Sequence, residues 1–246
     1  MIEEQIRTWL DDNNKALISE IEKSIPVRFT QWEEDHYSCQ LHKNEIGDHI
    51  EAEIFYKEPL AQAKIAHELL HAKVGYTFGD NYIMYTVSDK HVFFSYMLKN
   101  EFASGILNAC EHIIFFKDYL EMGYNEEDCF EPTANLDDSI RELDKLVKKG
   151  LKEKGHYSSE KVAQYLGLAF SFIFYPNFER FKKQVEMLKK IDFPLFSRFR
   201  NLRDACCNLD IIPENKEFIQ NAYYKFAFDM NKWFTNAFKG AVITGV

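Results

Sequence analysis

The spacing of hydrophobic residues changes period twice along the chain. Over residues 2–23, Ile2, Ile6, Trp9, Leu10, Leu17 and Ile21 fall roughly on one stripe, which predicts a helix. Period-two segments follow. Val27–Trp32 is β-branched and aromatic, His36–His42 sets Tyr37, Cys39 and Leu41 on one face, and Ile50–Tyr56 sets Ile50, Ala52, Ile54 and Tyr56 on one face. With a turn from Asn44 to Asp48, these predict a small, largely antiparallel sheet of hairpins. Helical period then returns. Pro59 suits a first helical turn, and LAQAKIAHELLHAKV runs on to an expected stop at Gly75. Residues 76–90 read as a loop, capped by Ser88 or Asp89 into a long, very apolar helix over about 91–122 that ends at Gly123.

Beyond residue 124 the pattern is helical throughout. Helices are expected over about 136–154, 158–174, 178–190, 193–207 and 214–239, with breaks at Gly155, Pro176-Asn177, Asp192 to Pro194 and Pro213. The basic run KLVKKGLKEK at 145–154 reads as a solvated helix face. The fold class is therefore α+β: a small, largely antiparallel sheet packed on one helix and a long second helix, then an all-helical C-terminal part. The cleanest boundary is YNEEDCFEPTAN, dividing residues 1–124 from 125–246, either as two domains or within one.

Composition narrows the function classes. At 246 residues, 46% hydrophobic and 28% charged, the chain can bury a sizeable core. Thirty basic against 39 acidic residues leave a net charge of −9, a poor match to nucleic acid. No apolar run reaches membrane-spanning length, and LGLAFSFIFYP stops at Pro176. The start lacks the basic and apolar regions of a signal peptide, and the five cysteines form no CxxC pair. The expectation is a cytoplasmic protein with buried, reduced thiols and no nucleic-acid or membrane partner.

The chemistry concentrates in His67-Glu68-Leu69-Leu70-His71. Residues four apart share one helix face, so both imidazoles can grip one ion. Glu68 sits beside the first histidine, where it can act as general base on a metal-bound water. The helix is otherwise apolar, with Ala63, Ile65, Ala66, Leu69, Leu70, Ala72 and Val74, and it directly follows an alternating strand. A strand feeding such a helix suits a zinc peptidase whose edge strand pairs with an extended substrate.

A catalytic zinc keeps three protein ligands. The third is sought on the helix over 91–122. At about 100° per residue, Lys99, Lys117 and Glu121 fall on its solvent side, while Glu101, Asn108 and His112 fall opposite with Phe94, Ser104, Gly105, Phe115 and Tyr119. Ser104 and Gly105 would admit a second helix. Glu101 and His112 stand about 16 Å apart along a helix, so they compete for one position. The loser becomes a neighbouring polar group or a carbonyl-polarising one.

With these residues in view, the stretch over about 25–122 resembles the gluzincin-type metallopeptidases, and in particular the ImmA/IrrE group of bacterial and phage proteins. The likeness rests on EAEIFY, KIAHELLHA and NEFASGILNA. It implies Zn²⁺ and a glutamate on the following helix as third ligand, the position of Glu101. It further implies cleavage of a specific protein. The string NACEHIIFFKDYLEMGY is similar instead to uncharacterised bacterial HExxH proteins, whose Glu-His pair favours His112.

The expected function is a zinc metallopeptidase with Glu68 as general base, His67, His71 and either Glu101 or His112 on the metal, and a protein or peptide substrate. One alternative is a regulatory or interaction protein on the same fold, with zinc absent or structural. Another is a zinc hydrolase of a small amide. Tyr76, Tyr82, Tyr85 and His91 are candidates to stabilise an oxyanion, though each singly reads as packing. His36 and His42 read as solvated surface, and Cys206-Cys207 as core thiols.

Overall fold

The computed structural model of the chain describes residues 2–34, 36–43, 50–79, 102–129, 136–207 and 209–239. It divides into two compact units. One comprises Met1–Asp80, Phe115–Glu131 and Asp210–Pro213; the other comprises Asn81–Ile114, Pro132–Leu209 and Glu214–Val246.

The first unit opens with two helices, α1 (Ile2–Trp9) and α2 (Asp12–Ile21), where the sequence predicts one. Asp11 is the cause. Its backbone is extended and its side chain accepts the amide of Asn14 at 2.8 Å, so it caps a new helix. The apolar stripe holds across the break at Ile6, Leu10, Leu17 and Ile21, which are buried, but not at Trp9, which is 50% exposed. Three strands follow, β1 (Val27–Gln31), β2 (Ser38–Lys43) and β3 (Ile50–Tyr56). Ala52, Ile54 and Tyr56 are buried as their alternation requires.

The sheet is mixed, in the order β1-β3-β2. β2 and β3 form the expected antiparallel hairpin, with Cys39 opposite Ile54 and Leu41 opposite Ala52. β1 instead joins the far side of β3 in parallel, Val27 opposite Ala52. Alternation assigns each strand a buried face but carries no information on which neighbour it takes, or in which direction.

Helix α3 (Gln62–Phe78) covers the buried face of the sheet. Its first turn lies beyond Pro59. It runs through Gly75 and ends before Gly79, whose φ of 80° suits glycine. Gly75 serves packing instead of termination: a Cβ there would lie 2.5 Å from Leu41 Cδ1, so its absence lets the helix close on β2. Helix α4 (Phe102–Glu121) is the long apolar helix. The first unit takes its residues from Phe115 onward, and a short helix α5 (Glu126–Cys129) follows.

The second unit is helical: α6 (Leu136–Lys149), α7 (Ser159–Ile173), α8 (Lys182–Ile191), α9 (Phe193–Cys206) and α10 (Lys216–Ala237). Its core includes Leu143, Leu166, Phe172, Leu188, Phe199, Phe226 and Phe234. The helix expected over 136–154 stops at Lys149, where Gly150 turns at φ 62°. A small hairpin follows, β4 (Lys152–Glu153) and β5 (His156–Tyr157), whose turn residues Lys154 and Gly155 both have positive φ. Among the described residues, no helix is long and apolar enough to cross a membrane.

Candidate metal centre

Helix geometry sets the first two donors. One turn apart on α3, the His67 and His71 rings meet edge-on with centroids 4.7 Å apart, and their Nε2 atoms are separated by 3.0 Å. Helix α4 brings the third. Phe115 presses against both rings at 5.3 and 4.9 Å, and His112 stands one turn earlier on the same unbroken helix. One donor atom from each of His67, His71 and His112 lies within 4.8 Å of the others. Three histidines placed this closely can hold a metal ion.

The donor set fits such an ion. Burial, with His71 and Lys64 nearby, holds His67 well below the usual imidazole range. It is therefore neutral, which is the ligating form. Metal–nitrogen bonds of about 2.0–2.1 Å at tetrahedral angles place donors about 3.4 Å apart, so the Nε2 pair needs to spread by only a few tenths of an ångström. His67 is buried while His71 and His112 are half-buried.

Glu68 is buried, with 8% of its surface exposed. Burial pushes its carboxyl up; His71, Lys64, His36 and a hydrogen bond from the Cys39 amide pull it partway back. That amide has a second meaning. A strand N–H that donates to Glu68 does not face β3, so it lies on the outer edge of β2. Among the described residues β2 is an edge strand. The carboxylate thus bridges the histidine helix and the outer edge of β2.

Behind the histidines, Cys129 Sγ lies 3.7 Å from His67 Nδ1. Burial pushes this thiol up, well above its ordinary range. Tyr119, two turns beyond His112 on α4, sets its ring edge-on to His67 at 6.5 Å. Its hydroxyl is fully buried and makes no hydrogen bond among the described residues. Next to it, the Tyr124 hydroxyl donates to Asp11 Oδ2 at 2.6 Å and accepts from Asn14 Nδ2 at 3.0 Å.

The candidates from sequence divide as follows. His67, Glu68, His71 and His112 come together. Glu101 lies outside the described residues, as do Tyr82, Tyr85 and His91. Tyr76 is half-buried late on α3. The proposed inward side of α4 holds at His112, Phe115 and Tyr119 but not nearer the start, where Gly105 and Asn108 are exposed. There Ile106, Leu107 and Cys110 are buried instead, so the helix buries different faces in its two halves. Lys117 and Glu121 are solvent-facing as expected, 3.8 Å apart. His42 is exposed and pairs with Glu53 at 2.7 Å. Two residues escaped sequence reasoning. Cys129 sits in a segment read as a boundary, and Cys39 contributes a backbone amide, which no residue type advertises.

No family model, curated protein or solved structure matches the chain.

Proposed function

We propose that the chain is a zinc-dependent metallopeptidase that hydrolyses a peptide bond in a specific protein substrate. The observation that carries this reading is the convergence of His67, His71 and His112 beside a buried Glu68 that touches the edge of β2. Three imidazoles make a donor set used for catalytic zinc. When bound, zinc supplies a Lewis acid that polarises the scissile carbonyl and acidifies water.

The remaining work falls to the chain's own groups. Glu68, its carboxyl raised by burial, takes the proton of the attacking water and passes it to the leaving amine. With the Cys39 amide engaged by Glu68, the outer edge of β2 offers the backbone groups of Leu41 to an extended substrate segment. Pairing there lays a peptide bond alongside Glu68. The resemblance to the ImmA/IrrE group supports a specific protein as the substrate.

The test is metal content by plasma mass spectrometry of untagged protein. Wild type and Glu101→Ala are expected to hold about one zinc per chain, and His71→Ala and His112→Ala to lose it. Loss in Glu101→Ala with retention in His112→Ala would transfer the third position to Glu101. No zinc in reconstituted wild type would overturn the metallopeptidase reading.

A further inference from the structure

We propose that Cys129 is a positioning residue for the metal centre: its sulfur accepts the Nδ1–H of His67 and holds that ring with Nε2 turned to the ion. This rests on the metal centre proposed above and adds the partner that orients its most buried ligand.

The argument begins with the tautomer. His67 Nε2 faces His71 Nε2 at 3.0 Å, so Nε2 is the atom placed for a metal, and to bind one it carries the free lone pair. The proton of the neutral ring then resides on Nδ1. The group facing Nδ1 is Cys129 Sγ, at 3.7 Å, within reach of a hydrogen bond to sulfur. Metal-bound histidines generally donate their second N–H to a fixed acceptor, which sets ring orientation and affinity.

The sulfur is held in place. Cys129 is 2% exposed and ends α5, which packs against α3. The chain just before α5 is tied down at Tyr124, through Asp11 and Asn14. The path from the cap of α2 to the metal ligand is therefore continuous: Asp11, Tyr124, α5, Cys129, His67. Sulfur is a weaker acceptor than the carboxylate often found in this role. With sulfur as its partner, His67 would hold a bound ion as a plain neutral imidazole and not as an imidazolate-like donor.

The experiment compares wild type with Cys129→Ser, Cys129→Ala and Cys129→Val. Zinc affinity is measured by competition with a chromophoric chelator, and the His67 tautomer by ¹⁵N NMR of the metal-free proteins. Wild type is expected to carry its His67 proton on Nδ1. Alanine and valine should each weaken zinc binding about tenfold and mix the tautomers, and serine should restore both. Valine fills the space of the thiol, so a loss it shares with alanine is not a packing loss. Wild-type affinity and tautomer in the valine variant would overturn the proposal. If wild type takes up no zinc, the metal reading fails separately. The metal-free tautomer then still decides: Nε2–H on His67 overturns the role of Cys129, and Nδ1–H that is lost in the valine variant upholds it.

Discussion

Glu68 is the residue on which the proposed hydrolysis turns. Its carboxylate is buried and raised, yet it is anchored by the Cys39 amide and faces the histidines without belonging to their cluster. Glu68→Gln preserves size and the ability to accept that amide but removes the proton acceptor. The variant is expected to bind zinc like wild type and to lose at least about a hundredfold in peptide hydrolysis. Cleavage of a substrate at the wild-type rate by a zinc-loaded Glu68→Gln protein would sink the assigned role. The motif itself was legible because i and i+4 on a helix leave only one arrangement for the two rings. His112 was legible as one of two candidates, since it shares a face with Phe115 and Tyr119. The thiol behind His67 was not, because 62 residues separate the two and no periodicity links them.

At the level of elements, small contacts decide where helices begin and stop. Asp11 divides the N-terminal helix, while α3 runs on through Gly75, where Leu41 packs close, instead of ending there. A third such contact lies in the helical unit. The Tyr157 hydroxyl, on β5, donates to Asp192 Oδ2 at 2.8 Å, and Asp192 caps α9 by accepting the amide of Leu195. Burial and Asp192 together push this phenol up to about 12 from 10.0. Because the folded value is raised, the contribution is complete below pH 10 and fades as pH climbs through about 12. Tyr157→Phe should therefore destabilise by about 1 kcal/mol near neutrality. Denaturant titrations should show the gap to wild type closing between pH 10 and 12. A gap that is constant or widens over that interval would contradict the assignment.

At the scale of the whole molecule, α4 is shared: its first part belongs to the helical unit and its residues from Phe115 onward to the unit that contains the sheet. Its early turns bury Ile106 and Cys110, and its later ones bury Phe115 and Tyr119. A metal held by α3 and α4 would add to the ring contacts of Phe115 and Tyr119 with His67 and to the Lys73–Asp118 ion pair at 3.7 Å. Any ligand that binds only the folded state raises stability by mass action. With free zinc at about 100 times its dissociation constant, the gain is about 2.7 kcal/mol. For a chain of this length, that is a rise of about 5–10 °C in melting temperature. Calorimetry with and without a chelator checks this; identical melting at every zinc concentration would contradict it. His112→Ala should abolish the zinc-dependent rise while folding on its own.

The sequence by itself determined the buried faces of the strands, of α3 and of the later half of α4, and the spacing of His67 and His71 on one helix face. Apolar period and residue spacing are local properties, and burial in the structure follows them at Ala52, Ile54, Tyr56, Ile65, Leu69, Phe115 and Tyr119. Tertiary structure alone decided the partners: β1 lying parallel to β3, His112 arriving at His67 and His71, the Cys39 amide reaching Glu68, and Cys129 backing His67. The reason is physical. Hydrophobic burial is non-directional and rewards any arrangement that covers an apolar face. Strand direction, hydrogen-bond partners and ligand convergence depend on distances between segments far apart in the chain, and those distances exist only once the core has closed.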